Sequence, residues 1–159
     1  MKGKRKVDVV RVELVKEGSV TYGEKDRENT KITNPEDAVR LASPFFTHSD
    51  REKVYVIALD ARMKPRNISL AGLGGMTECT IHVPEIFKTA ILSNCPNIIC
   101  IHNHPSGDVR PSEDDRQITK RLQTAGNYIG IKLQDHIIIG DNEEFFSFRQ
   151  QSMGENTYW

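Results

Sequence analysis

The sequence predicts a single mixed α/β domain. Two continuous apolar runs, residues 54–59 and 98–101, have polar flanks and read as buried strands. Proline-led helix starts occur at Pro35, Pro84 and Pro111. Strand-like and helix-like segments interleave along the chain, which places both kinds of element in one domain. The order of strands in the sheet is not legible at this level.

Val7, Val9 and Glu13–Val15 begin an extended stretch, with Glu17-Gly18 as a turn into Ser19–Tyr22, so a β-hairpin is expected there. Residues 23–30 are almost wholly polar and read as an exposed loop. Lys2, Lys4, Arg5 and Lys6 read as a solvated basic tail rather than a nucleic-acid or membrane contact. Residues 1–33 are thus expected to be tail, hairpin and loop, with the main domain at 34–150 and a C-terminal tail at 151–159.

Within that domain, Asn34-Pro35-Glu36-Asp37 combines an N-cap side chain, a proline at the first helical position and acids facing the positive end of the dipole. The helix should run to Phe45 or Phe46. Val54–Leu59 suits a strand buried on both faces. A second strand is expected at Asn67–Ala71, then a Gly72-Leu73-Gly74-Gly75 loop, which is a candidate cleft lining or simply a turn. Pro84-Glu85 opens a helix through Leu92, and Ile98–Ile101 runs as a strand directly into His102. Pro111-Ser112 starts a long helix with Ile118, Leu122 and Ala125 at helical spacing, ending near Gly126. Ile131–Ile139 is a further strand, stopped by Gly140-Asp141-Asn142, and residues 145–148 add an edge strand.

Composition narrows the class. Lysine plus arginine equals aspartate plus glutamate at 22 each, so no net charge draws the chain toward nucleic acid or anionic membrane. At 159 residues, with 37% hydrophobic and 28% charged residues, one globular core needs no disulfide or metal staple. Cys79, Cys95 and Cys100 cannot all pair and have no CxxC spacing, which fits free thiols in a reducing compartment. Asp8 and Arg11 interrupt the apolar stretch that a secretory signal needs. No segment approaches the roughly 20 apolar residues of a membrane helix. A soluble, cytoplasmic protein is expected.

The chemistry concentrates in His102-Asn103-His104-Pro105-Ser106-Gly107 and Pro111-Ser112-Glu113-Asp114-Asp115. Residues two apart on an extended chain point the same way, so His102 and His104 can aim both imidazoles at one point. Ser106-Gly107 and Pro111 let the chain reverse and return a helix to the strand end. Asp115 then lies in that helix's first turn. Two imidazoles and a carboxylate match catalytic zinc sites, whose fourth position is left to water. Alternatives stand beside this reading. Ser112 and Asp115 also spell a capping box. Asp114 could replace Asp115, although it is turned about 100° away on the helix. Cys100, on the histidine face of the strand, could join a Cys/His/His site or be a buried structural thiol. Asp135 and His136 could orient a metal-bound histidine or be structural. His48 and His82 have no partner spacing and receive no function.

With those residues in place, the chain resembles the RadC family of JAB/MPN (JAMM-type) metalloprotease domains. The JAMM pattern is a distant Glu, then His-x-His, seven residues, Ser, two residues and Asp, and His102, His104, Ser112 and Asp115 match it. The RadC form adds Asn103 and Pro105-Ser106-Gly107, and the likeness extends to Glu52 with Leu59-Asp60 and to the Asp135–Gly140 strand. It covers roughly Pro35 to Phe148. The resemblance implies a mixed sheet of cytidine-deaminase-like architecture flanked by helices. It also implies one zinc ion on His102, His104 and Asp115, with Glu52 as the general base that activates the zinc-bound water. Ser112 would donate to the oxyanion, and the substrate would be a peptide or protein amide. Read alone, Glu52 in Asp50-Arg51-Glu52-Lys53 is a solvated charge; only the family register gives it a role. Asn103 stands where eukaryotic-type JAMM proteases usually carry Ser or Thr. RadC-like proteins typically carry an upstream helix-hairpin-helix DNA-binding segment, whereas the residues before the core here read as a hairpin and one helix. A DNA-repair role therefore rests on the family name.

Two other classes compete with a peptidase or isopeptidase. A phosphodiester hydrolase acting on DNA usually needs two metals bridged by carboxylates and a basic groove; one metal cluster and zero net charge count against it. A non-enzymatic binding module would use the fold, and the zinc, for structure alone. A zinc deaminase would need His-x-Glu and Pro-Cys-x-x-Cys, and a thermolysin-like protease HExxH; neither is present.

Overall fold

The computed structural model describes residues 10–21, 31–74, 81–141 and 144–155. Asn34 caps α1 (Pro35–Ala42), its side chain accepting from the Asp37 amide at 2.8 Å. Asp37 in turn accepts from the Thr33 amide and hydroxyl. Pro44 has no amide to continue the α-helical ladder, so the helix tightens into a 3₁₀ turn over Ser43–Phe45. The elements that follow are β1 (Lys53–Leu59), β2 (Pro65–Leu73), α2 (Val83–Leu92), β3 (Asn97–Asn103), α3 (Glu113–Ile129), β4 (Lys132–Ile139), β5 (Phe145–Ser147) and α4 (Phe148–Glu155).

The strands form one mixed sheet in the order β2-β1-β3-β4-β5. β3 and β4 are parallel, joined by the α3 crossover, and the other neighbouring pairs are antiparallel. Side chains of β1 and β3 alternate between two cores. Val54, Val56, Ala58, Ile98 and Cys100 pack with Ile86 and Phe87 of α2 and Ile118 and Leu122 of α3. Ile57, Leu59, Ile99 and Ile101 pack with Ala38, Val39, Leu41 and Ala42 of α1. Both faces are covered, which is why these strands read as unbroken apolar runs.

β4 is not in simple phase. A register shift against β3 between Ile98 and Ile99 pairs Leu133 with Ile98 but Asp135 with Ile99. The extra residue lets both Leu133 and His136 face α3, while Ile137 and Ile139 enter the α1 core.

Four expectations are corrected. Gly72 and Leu73 belong to β2, paired with Val54 and Lys53, so the glycine-rich loop begins only at Gly74; Gly75–Thr77 lie outside the described residues. α3 runs past Gly126 to Ile129 and stops at Gly130, whose φ of 75° supplies the left-handed cap. Gly126 lies inside the helix and serves a close approach, since a Cβ there would lie 2.4 Å from the Ile131 carbonyl oxygen. Phe148 opens α4 instead of extending an edge strand, and residues 151–155, expected as tail, complete that helix. Finally, residues 10–21 form neither strand nor helix, with Val10, Val12 and Val15 exposed, so no hairpin forms across them. The basic tail, Val7, Val9, Tyr22 and the 23–30 loop lie outside the described residues. Among the described residues, no helix is long and apolar enough to cross a membrane.

Candidate metal centre

The β1–β3 pairing runs to Val54 opposite His102, so Glu52 before β1 and His104 after β3 stand at the same end of the sheet. His102 continues the face of Ile98 and Cys100 and therefore points toward α3. His104 donates its amide to the Ile139 carbonyl, and its Nδ1 lies 2.6 Å from the Asp108 carbonyl oxygen. A carbonyl only accepts, so Nδ1 carries the proton of that bond and Nε2 turns to the site. The loop back to α3 is pressed onto the end of β4. A Cβ at Gly140 would stand 2.3 Å from the Gly107 carbonyl oxygen, and one at Gly107, where φ is 78°, would stand 2.5 Å from Asp141 Oδ2. Only glycine permits that approach.

At the start of α3 the capping box forms. Asp115 Oδ2 accepts from the Ser112 amide at 2.8 Å and its hydroxyl at 2.6 Å, and the Asp115 amide donates to Ser112 Oγ at 3.1 Å. Oδ1 is left facing His102 Nε2 at 3.1 Å, while Oδ2 lies 3.4 Å from His104 Nε2. The two Nε2 atoms are 3.2 Å apart. A tetrahedral ion with metal–nitrogen bonds of about 2.0–2.1 Å has ligand–ligand edges of roughly 3.3 Å. His102, His104 and Asp115 thus form a group that could hold one metal ion, every ligand atom within 4.8 Å of the others. Asp114 is exposed, and Cys100 is wholly buried in the apolar core; neither belongs to the group. His48 and His82 are exposed and outside it.

Glu52 Oε1 lies 3.9 Å from His102 Nε2. Burial raises its pKa from the ordinary glutamate value; His102 opposes that shift and Asp115 adds to it. For Asp115 burial also works against ionisation, but the facing imidazoles of His102 and His104 and the hydrogen bond from Ser112 overcome it and hold the carboxyl well below its usual range. His104 is shifted upward, chiefly by Asp115.

The surrounding contacts extend the site. Asn103, between the histidines, accepts the Lys53 amide at 2.8 Å and donates to the Arg51 carbonyl at 3.3 Å, gripping the backbone on both sides of Glu52. His136 Nε2 lies 3.0 Å from His102 Nδ1, and its Nδ1 lies 2.6 Å from Thr119 Oγ1. Phe148 stacks on the His136 ring at 5.1 Å. Asp135 turns to the other face, where Ser147 Oγ and the Arg149 amide donate to it. Of the two residues left open by the sequence, His136 touches a site histidine and Asp135 holds the start of α4. Thr119 and the grip of Asn103 were missed. Thr119 follows Asp115 by four residues, a spacing that places both on one helix face and was the available signal.

The fold and cluster define an α/β domain with a His-His-Asp metal-type site at the end of a mixed sheet. The chain belongs to the RadC-like JAB domain family, whose sequence model matches residues 32–153. It is 41% identical over 114 residues to a UPF0758 protein of Caldanaerobacter subterraneus, covering 72% of this chain and 49% of that protein. A UPF0758 protein of Clostridium acetobutylicum is 41% identical over 117 residues, 74% of this chain and 51% of the relative. One from Porphyromonas gingivalis is 39% identical over 122 residues, 77% and 54%. The chain spans about half the length of the curated relatives it matches.

Proposed function

We propose that this domain is a JAMM-type, zinc-dependent peptidase or isopeptidase. The observation that carries the reading is the convergence of His102 Nε2, His104 Nε2 and an Asp115 oxygen within 4.8 Å of one another, with a half-buried Glu52 carboxylate beside them. Zinc on these three ligands would act as a Lewis acid toward an amide carbonyl and make a water more acidic.

Glu52 accepts a proton from the attacking water and returns it to the leaving nitrogen as the carbon–nitrogen bond breaks, giving a carboxylate and an amine. Burial moves its carboxyl upward from the ordinary value, the direction that favours taking up a proton and returning it. Asn103 fixes where the Glu52 backbone sits. Ser112 gives its one hydroxyl proton to Asp115 Oδ2, so serving an oxyanion requires that bond to break first.

The test loads the purified chain with zinc and offers isopeptide-linked, linear peptide and phosphodiester substrates to the wild type and to Glu52→Gln. Amide cleavage that falls by roughly 10²–10⁴-fold in the variant, with zinc content unchanged, is expected. Cleavage of phosphodiesters alone, or amide cleavage indifferent to Glu52, overturns the reading. Zinc binding without any hydrolysis would favour a binding module.

A further inference from the structure

We infer that Thr119, acting through His136, sets which nitrogen of His102 is offered to a metal. The inference rests on the reading of His102 as a ligand, and it follows from counting protons along a buried chain of contacts. Thr119 Oγ1 donates to the Asp115 carbonyl oxygen at 2.6 Å. A threonine hydroxyl has one proton and a carbonyl has none. Oγ1 therefore receives its second contact, at 2.6 Å, from a proton on His136 Nδ1. With Nδ1 protonated, the neutral His136 ring has a lone pair on Nε2. That lone pair accepts from His102 Nδ1, 3.0 Å away. His102 thus keeps its proton on Nδ1 and turns Nε2 to Asp115 and His104.

The opposite direction would let His102 Nε2 donate to Asp115 Oδ1 at 3.1 Å, but it fails at its far end. A His102 ring accepting at Nδ1 would need His136 to donate from Nε2 and accept at Nδ1 from Thr119. The threonine proton would then leave the Asp115 carbonyl, and two oxygen acceptors would face each other at 2.6 Å. His102, His136 and Thr119 are all wholly buried, so no solvent supplies a replacement partner. Phe148 on the His136 ring and the β4 register shift hold the imidazole at this angle. α3 therefore contributes twice: Asp115 as a ligand, and Thr119, one turn on, as the terminus that orients another ligand.

Thr119 is a positioning residue, and its test needs no substrate. Zinc affinity is measured by chelator competition for the wild type, Thr119→Val and Thr119→Ser. Thermal unfolding of the metal-free forms is followed in parallel, with ¹⁵N spectra of the histidine rings. Thr119→Val, nearly the same shape without the hydroxyl, should weaken zinc binding about 10–100-fold. Thr119→Ser should bind within a few-fold of the wild type. The metal-free wild-type spectrum should place the His136 proton on Nδ1, and Thr119→Val should disturb that assignment. Wild-type affinity in a folded Thr119→Val, or a His136 proton found on Nε2, overturns the inference. Because the ring spectrum is read without metal, it judges the proton direction even if the wild type binds no zinc, a result that would instead end the metal reading.

Discussion

Asn103 separates the two site histidines in sequence and binds neither. Its amide bridges Arg51 and Lys53 across β1 and β3, so the residue between the two histidines positions the proposed base. Asn103→Ala removes both bonds from a partly buried place and should cost about 1–3 kcal/mol of stability. Zinc affinity should be nearly unchanged, while any amide hydrolysis drops in kcat more than in KM; chemical denaturation and steady-state kinetics read the two effects. Loss of zinc affinity equal to the loss of rate would mean that Asn103 supports the ligands instead. Ser112 is a second residue with two allegiances. Its hydroxyl caps α3 and holds Asp115 Oδ2, so Ser112→Ala should lower stability by about 1 kcal/mol and weaken zinc binding together. Unchanged metal affinity in Ser112→Ala would show that the capping bonds do not orient the ligand.

At the scale of elements, the His104–Pro111 loop depends on a bare backbone at the end of β4. Gly140→Ala sets a methyl group 2.3 Å from the Gly107 carbonyl oxygen and 2.6 Å from Val109 Cγ1, so the Gly107 backbone must shift. It should displace the loop that follows His104 and lower zinc affinity as well as stability, a pairing that calorimetry and chelator competition can separate from simple unfolding. The junction of β4, β5 and α4 has its own titration. Burial raises Asp135 from 3.8 to about 6, against hydrogen bonds from Ser147 and Arg149. The folded chain therefore holds this proton more tightly than the unfolded chain does between pH 3.8 and 6. Stability from this group is complete below that window and falls as pH rises through it, by at most about 3 kcal/mol. Asp135→Asn should remove that share of the decline in melting temperature across the window. An identical decline in both proteins would place the titration elsewhere.

At the scale of the whole molecule, the candidate site was more legible in the sequence than its support. His-x-His at a strand end and a carboxylate in a helix's first turn are local patterns, and Asn34, Pro35 and Ser112 mark helix starts by capping chemistry that acts within four residues. Glu52 is different: its neighbours are charged and exposed, and only the family register or the β1–β3 pairing brings it to the histidines. The face of His136 was hidden for another reason, since it depends on a register shift between two strands joined by a seventeen-residue helix. α4 has a local cap, Ser147 Oγ accepting from the Gln150 amide, and its Ser-x-x-Gln spacing was an available signal; only the Asp135 contact to Ser147 comes from another element. Residues 10–14 alternate apolar and charged as a strand would, yet form no strand pairing among the described residues, because alternation supplies a face without supplying a partner. A bound ion would tie these parts together. Zinc at 100 times its Kd should add about 2.7 kcal/mol of stability, which a chelator should reverse.

The most direct test is diffraction from zinc-soaked crystals, with data collected on both sides of the zinc absorption edge. One anomalous peak is expected within bonding distance of His102 Nε2, His104 Nε2 and an Asp115 oxygen, with the Glu52 carboxylate nearby but unbound. A peak that excludes Asp115, or none between these residues at saturating zinc, would contradict the assignment.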